Sequence, residues 1–240
     1  MRVLLSIFIF FNIICIAYAG YSVYNPDSAN KITSDNTQTM FILDYSNSMN
    51  ERISGETKFD ILQRCFRNVL KNMSSATPVG VRIYGQRWGF TNFDACKAST
   101  LVEGVNINNR EMMMDKLSKY HPKGMTPITY SLKETINNDL VVGGVNNYNS
   151  LKHIILVTDG GENCDESPCT YAMGLIRTRK DIQIDVIAVD VDNEDDLDQL
   201  RCTANVTGGK FYSADTETQL KWGLDNVVKT KKAVDAKIMY

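Results

Sequence analysis

The stretch TMFILDYSNSM, residues 39–49, decides the fold class of this chain. Its first part, residues 39–45, is an apolar run of strand length, which is typical of a strand buried on both faces of a sheet. Asp44, Ser46 and Ser48 follow at alternate positions at the end of this run. The stretch therefore predicts a buried strand whose carboxyl end carries oxygen-bearing side chains.

The rest of the chain alternates between strand and helix patterns. Further strands are predicted at residues 79–85, 100–103, 153–158, 184–189 and 210–213. Helices are predicted at residues 58–73, 109–120, 127–138, 168–179, 194–206 and 216–228. Apolar strands separated by helices indicate a parallel sheet covered on both faces, and the strand that follows its neighbour without a helix is predicted to be antiparallel. The predicted fold class is α/β, doubly wound and mostly parallel, with one short antiparallel strand.

The N-terminus has the pattern of an export signal. Arg2 precedes a nearly continuous apolar run, Val3 to Ala17, and Ala17-Tyr18-Ala19 matches a small-x-small cleavage site. The rival interpretation is an uncleaved anchor, but the run is short for a bilayer span. We expect a signal peptide at residues 1–19, a linker at 20–36, one domain at 37–228 and a tail at 229–240. The mature protein is then secreted or periplasmic, without a membrane anchor.

Composition and missing motifs argue against several classes of function. The chain has 240 residues, 43% of them hydrophobic, with 26 Lys and Arg against 28 Asp and Glu. A formal net charge of -2 disfavours an electrostatic nucleic-acid binder. The sequence lacks a P-loop, a Gly-x-Ser-x-Gly nucleophile elbow and a Gly-x-Gly-x-x-Gly turn. We therefore predict that the protein is not an enzyme and does not bind nucleic acid.

Two later segments also carry side chains with oxygen donors. In open parallel sheets, ligands bind beyond the carboxyl ends of the strands, and both segments are predicted to lie there. Thr126 begins a predicted helix, and Asp159-Gly160-Gly161 follows the strand at 153–158. Two carboxylates and three hydroxyls suit Mg²⁺, with Mn²⁺ or Ca²⁺ as alternatives, better than zinc. Taken singly, Ser46 and Ser48 could cap a helix, and Asp159-Gly160-Gly161 could be a plain turn.

Taken together, these residues resemble the metal-ion-dependent adhesion site (MIDAS) of the von Willebrand factor type A domain. That site consists of Asp-x-Ser-x-Ser, a distant Thr and a distant Asp, which Asp44, Ser46, Ser48, Thr126 and Asp159 match in order. The resemblance covers most of the chain and is close to small exported bacterial members. It implies a doubly wound sheet with Mg²⁺ at its top, bound directly by both serines. The two aspartates supply charge directly or through water, and Thr126 switches between these modes.

The same resemblance implies a function. An open coordination position on the ion would capture an exposed Glu or Asp of a protein partner, in adhesion or complex assembly. Glu162, in the loop after Asp159, is expected to influence the choice of ligand. One alternative is a structural cell-envelope module with a vestigial metal site. Another is a Mg²⁺-dependent phosphatase, which would want a second acid where Ser46 stands.

Five of the six cysteines remain once Cys15 is removed with the signal peptide. Cys65 lies beside the apolar stripe of a predicted helix, which favours a buried free thiol. Zinc ligation by the others is disfavoured, because Cys164 and Cys169 have no second close pair. The strand order 3-2-1-4-5-6 implied by the resemblance then points to one disulfide from Cys96 to the loop of Cys164 and Cys169, and another from that loop to Cys202. The favoured pairing is Cys96–Cys164 with Cys169–Cys202.

Overall fold

The computed structural model describes residues 33–141 and 150–237. The predicted signal peptide at residues 1–19 lies outside the described residues, as do most of the predicted linker and the last three residues of the predicted tail. No helix within the two described ranges is both long and apolar enough to cross a membrane.

A six-stranded sheet forms the centre of the fold. Its strands are β1 (Thr33–Asp44), β4 (Val79–Tyr84), β5 (Ser99–Asn106), β6 (Ser150–Thr158), β7 (Ile182–Val189) and β8 (Phe211–Ala214). Their spatial order is β5-β4-β1-β6-β7-β8, and only β5 is antiparallel to its neighbour in this sheet. The predicted α/β class, with a mostly parallel sheet and one antiparallel strand, is confirmed.

Helices cover both faces of the sheet. They are α1 (Lys58–Asn72), α2 (Asn92–Ala95), α3 (Arg110–Leu117), α4 (Ile128–Glu134), α5 (Pro168–Leu175), α6 (Glu194–Val206) and α7 (Glu217–Lys237). Successive side chains of a strand point to opposite faces. Phe41 and Leu43 accordingly pack in a core with α1, α3 and α7. Met40 and Ile42 pack in a second core with α4, α5 and α6. This two-sided burial explains why β1 is apolar from Met40 to Leu43.

The structure differs from the sequence prediction at both ends of the fold. Strand β1 begins at Thr33 rather than Thr39, because the backbone of a polar segment also pairs with β6. Helix α7 ends at Lys237 rather than Val228, so it continues beyond the last apolar residue that the prediction used. A small hairpin, β2 (Arg52–Ile53) and β3 (Glu56–Thr57), was not predicted, since two-residue strands leave no periodic pattern.

Candidate metal centre

The end of β1 holds the first part of the site. Asp44 is the last residue of the strand, and Ser46 precedes a short 3-10 turn at Asn47–Asn50. The backbone N–H of Ser46 donates to Asp44 Oδ1 at 2.7 Å. The turn then brings Ser48 Oγ to 2.9 Å from Ser46 Oγ. The two serines predicted as ligands therefore present their hydroxyls side by side.

Asp159 joins them from the neighbouring strand. Strands β1 and β6 are parallel, with Leu43 opposite Val157, so their carboxyl ends coincide. The hydroxyl of Ser48 donates to Asp159 Oδ1 at 2.7 Å. Ser46, Ser48 and Asp159 thus form one chain of oxygen atoms at the upper edge of the sheet, although 111 residues separate Ser48 from Asp159.

Asp44 has a positioning role that the sequence did not reveal. It is fully buried, and its Oδ2 accepts hydrogen bonds from Tyr84 Oη at 2.8 Å and Thr158 Oγ1 at 2.9 Å. The N–H of Asp159 adds a longer bond at 3.3 Å. Burial and the charge of Asp44 raise the pKa of Tyr84 well above its usual value, so its hydroxyl remains a donor. Asp44 therefore links the ends of β1, β4 and β6 and places negative charge beneath the serines.

Thr126 belongs to the segment of residues 124–126, which lies beside the serines and forms the adjoining wall of the site. Two residues before it, Gly124 forms a bridge with Ser46, and its carbonyl accepts from the N–H of Asn47 at 2.9 Å. Thr126 is buried, and its N–H donates to Asn163 Oδ1 at 2.7 Å. Within the described ranges its hydroxyl makes no hydrogen bond to the other four predicted residues. The structure thus places the segment of Thr126 beside the serines.

The loop after Asp159 holds that wall in place. Glu162 accepts from the N–H of Thr129 at 2.7 Å and from the N–H of Cys164 at 3.0 Å. Burial raises the pKa of Glu162, and these bonds only partly offset it. Both of its carboxylate oxygens are used in these contacts. Glu162 and Asn163 therefore tie the Thr126 segment to the loop of Asp159, a supporting role that residue type alone did not indicate.

A glycine allows the two halves of the site to meet. Gly85 directly follows β4 and has a φ of +73°, which L-residues rarely adopt. A Cβ at this position would lie 2.6 Å from the Cα of Ser46. The carbonyl of Gly85 also accepts hydrogen bonds from the N–H groups of Lys123 and Gly124, at 3.1 and 2.6 Å. Only glycine lets β4 end this close to the backbone of Ser46.

Lys58 is a charged member of the site that the sequence analysis missed. It begins α1, and its side chain is only 4% exposed. Its Nζ lies 3.0 Å from Glu51 Oε2, 3.4 Å from Asp159 Oδ2 and 3.2 Å from Asp190 Oδ2. Burial lowers the pKa of Lys58, but the contacts with these three carboxylates outweigh burial and raise it. The ammonium therefore remains charged beside Asp159.

The donor set and its charge fit an oxygen-seeking cation. Asp159 Oδ2 is buried and accepts no hydrogen bond, although Lys58 faces it. Burial, and then the negative charge of Asp44, raise the pKa of Asp159 to about 7. Among the residues that the structure describes, no group of three or more His, Cys, Asp and Glu could hold a metal ion. A metal here would depend on serine hydroxyls together with carboxylates, which is the chemistry of hard cations.

Two disulfides flank this region, with the predicted pairing. Cys96–Cys164 joins the loop after β4 to the loop after β6, and Cys169–Cys202 joins α5 to α6. Cys65 is buried as a free thiol. Cys164 directly follows Asn163, the residue that holds Thr126, so the first disulfide borders the wall of the site.

Comparison with known proteins identifies the family of this chain. A family model, the von Willebrand factor type A domain, matches residues 39–227. The chain belongs to this family. An uncharacterized protein of Bacillus subtilis strain 168, YwmC, is 29% identical to this von Willebrand factor type A domain protein over 189 residues. The alignment covers 75% of this chain and 78% of the relative.

Solved structures share the fold of this von Willebrand factor type A domain. The von Willebrand factor type A protein from Catenulispora acidiphila has a TM-score of 0.62 at 15% identity, over 82% of this chain and 42% of that one. Proximal thread matrix protein 1 from the mussel byssus, in a structure with a zinc-occupied MIDAS motif, has a TM-score of 0.58 at 18% identity. That match covers 84% of this chain and 46% of the other. The chain thus spans less than half the length of these two proteins.

Proposed function

We propose that this protein is an exported binding module that captures a carboxylate of a protein partner through a divalent metal ion. The observation that carries the proposal is the convergence of Ser46, Ser48 and Asp159 into one chain of oxygens above the buried Asp44. These residues come from separate segments of the sequence, and the parallel register of β1 and β6 brings them together. A helix cap or a simple turn would not require that convergence.

The residues have distinct roles in this proposal. Ser46 and Ser48 would bind the ion through their hydroxyls, and Asp159 would supply charge next to Ser48. Asp44 would contribute its charge from below, because hydrogen bonds already occupy both of its oxygens. Thr126 would complete the site from the adjoining wall. The bound ion would supply an electrophilic position for an anionic oxygen of the partner.

The identity of the metal follows from the donors. All five side chains offer oxygen, which favours Mg²⁺, with Mn²⁺ and Ca²⁺ as alternatives. The mussel protein carries zinc at its MIDAS motif, which supports a dication at the corresponding place in this fold. Zinc in proteins prefers nitrogen and sulfur ligands, and none of the five residues provides them. We therefore expect Mg²⁺ or Mn²⁺ to bind before zinc at physiological concentrations.

Export is supported by the sequence and by the disulfides. Residues 1–19 have the signal-peptide pattern, and disulfides such as Cys96–Cys164 persist in oxidising compartments. We accordingly propose a secreted or periplasmic location without a membrane anchor after cleavage. The proposed role is adhesion or complex assembly rather than catalysis or nucleic-acid binding. The first alternative is a structural module whose metal site is vestigial, and the second is a Mg²⁺-dependent phosphatase.

Calorimetric titration with Mg²⁺ and Mn²⁺ tests the proposal. Ser48→Ala is the preferred variant, because Asp44→Ala would also break the hydrogen bonds between β1, β4 and β6. Asn47→Ala is the matched control, since that exposed side chain lies between the two serines. We expect the wild type and Asn47→Ala to bind metal and Ser48→Ala to lose at least about tenfold in affinity. Wild-type protein that shows neither heat nor a thermal shift with either ion would leave the structural module as the better explanation.

A further inference from the structure

An exposed aromatic loop lies beside the candidate metal centre. We define the aromatic loop as residues 87–98, between β4 and β5. Trp88 is 70% exposed, Phe90 is fully exposed and Phe93 is 71% exposed. Aromatic rings of this size contribute strongly to protein interfaces, and a folded monomer rarely exposes several of them in one place. The aromatic loop therefore has the composition of a binding surface.

The aromatic loop adjoins the wall that holds Thr126. A Cβ on Gly124 would lie 2.3 Å from the carbonyl oxygen of Arg87, so the two backbones are in direct contact. At its other end, Cys96 Sγ lies 3.9 Å from the sulfur of Met125, the residue before Thr126. The three rings are thus carried by a segment that is packed at both of its ends against the residues just before Thr126.

Internal contacts hold the aromatic loop in one shape. Arg87 makes a two-pronged ion pair with Asp94, with N–O distances of 2.9 and 3.0 Å. The same carboxylate accepts from the N–H of Phe90 at 3.1 Å, and Thr91 caps the short helix α2. The Cys96–Cys164 disulfide closes the loop against the segment after β6. A loop held so firmly, with its rings outward, is pre-organised for contact, which lowers the entropy lost on binding.

The charges of the aromatic loop favour a protein partner over a membrane. Membrane-surface segments combine aromatic rings with several free Lys and Arg side chains that face anionic lipid. Here Arg87 is paired with Asp94, and Lys97 lies over the ring of Phe93 at 3.9 Å from its centre. The chain as a whole is weakly acidic, with a formal net charge of -2. The surface thus offers apolar contact without a basic field.

We infer that the aromatic loop is the second half of the binding surface, and that the partner's epitope is an Asp or Glu flanked by aromatic or large aliphatic side chains. This inference rests on the proposed function, in which the metal ion binds the acidic residue. Trp88, Phe90 and Phe93 then contact the apolar neighbours of that residue and select among the many exposed carboxylates. Metal capture supplies the anchor, and the rings supply the specificity.

The test selects peptides from a displayed random library on immobilised wild-type protein in Mg²⁺, then measures synthetic consensus peptides in solution. We expect the selected sequences to share an acidic residue next to aromatic or large aliphatic residues. Trp88→Ser/Phe90→Ser/Phe93→Ser should bind the consensus peptide at least about tenfold more weakly. Its Mg²⁺ affinity should match that of the wild type, because no ring contributes a metal ligand.

A matched control removes apolar side chains that are exposed elsewhere. Ile107→Ser/Met112→Ser/Trp222→Ser changes three such residues away from the aromatic loop and should bind the peptide like the wild type. Thermal melting of both triple variants verifies folding, and Trp88→Ser alone serves if the triple variant unfolds.

Each outcome separates this inference from the proposed function. Peptide binding that chelator abolishes but the ring substitutions leave unchanged would overturn the inference and leave metal capture standing. Binding that persists in chelator but depends on the rings would instead contradict metal capture. Selection of acidic peptides without apolar neighbours, or of no peptide at all, would count against the aromatic loop as a specificity element. Ring-dependent sedimentation with phosphatidylglycerol vesicles would replace the protein partner by a membrane.

Discussion

Asp159 should make both the stability of the metal-free protein and its metal affinity depend on pH near neutrality. Its side chain is fully buried, and its pKa is raised from 3.8 to about 7. Burial is the larger cause, and the neighbouring charge of Asp44 is the next. The hydrogen bond from Ser48 and the positive charge of Lys58 lower the pKa of Asp159 but do not compensate. The folded protein therefore holds a proton at this carboxyl over a pH range in which the unfolded chain has lost it.

The sign of the effect follows from proton linkage. Between about pH 4 and 7 the folded state binds more protons than the unfolded state, so the free energy of unfolding falls as pH rises. A shift from 3.8 to about 7 corresponds to a total loss of about 4 kcal/mol, complete above the folded-state pKa. A bound dication replaces the proton and removes the penalty. Metal affinity should therefore increase about tenfold per pH unit below pH 7 and level off above it.

Asp159→Asn isolates this contribution. Urea unfolding at several values between about pH 5 and 8, with metal removed by chelation, gives the slope for each protein. In chelator, the free energy of unfolding of the wild type should fall as pH rises, relative to that of Asp159→Asn. Saturating Mg²⁺ should abolish this fall in the wild type and should not change the pH profile of Asp159→Asn. Asp165→Asn, a carboxyl later in the same loop, is the control and should follow the wild type. If the wild type and Asp159→Asn showed parallel pH profiles in chelator, Asp159 would not be the group that holds the proton.

Two further predictions concern the surroundings of the site. Lys58→Met removes the cation that faces Asp159 and Asp190. Chelated protein should lose about 1–3 kcal/mol, less than for a fully buried pair, because Asp190 is partly exposed and Asp159 can take up a proton. Mg²⁺ should bind more tightly to this variant, because the positive charge beside Asp159 is gone. Lys71→Met, exposed on the same helix, should change neither quantity, and weaker Mg²⁺ binding by Lys58→Met would contradict the reasoning. Replacing either disulfide by serines should reduce stability by about 2–4 kcal/mol in urea titrations. Only loss of Cys96–Cys164 should also weaken metal binding, because that disulfide adjoins Asn163, and equal metal affinities for the two disulfide variants would refute this role.

The strands that carry the site could be predicted from the sequence. Residues 40–43 and 154–157 are apolar throughout because both faces of the central strands are buried, and that burial leaves a continuous pattern. Asp44 and Asp159 stand at or just after the ends of these strands, so their proximity follows from parallel pairing alone. The polar start of β1 at Thr33 could not be predicted, because backbone pairing with β6 requires no side-chain pattern.

Residues that act through long-range contacts left no signal in the sequence. Tyr84 is one more large residue in a buried strand until its hydroxyl is seen to donate to Asp44. Lys58 opens a helix, where lysine is ordinarily exposed, and its burial depends on Glu51 and Asp190 arriving from two other loops. The acidic stretch that begins at Asp190 has the composition of a solvated loop, yet Asp190 pairs with Lys58 at 3.2 Å. Such roles are set by the placement of several segments together.

Lys58 also bears on why the site would need a partner. Asp44 and Asp159 place two negative charges under the serines, but Lys58 already neutralises part of the charge of Asp159. In our proposal a dication held by two serine hydroxyls and these carboxylates therefore keeps net positive charge, since hydroxyls contribute none. Such an ion binds weakly to the protein alone and gains most from a further carboxylate. Lys58 is also paired with Glu51 and Asp190, so we expect it to stay in place when the metal enters. In this proposal the buried ammonium favours an ion whose coordination the partner completes over a closed structural metal site.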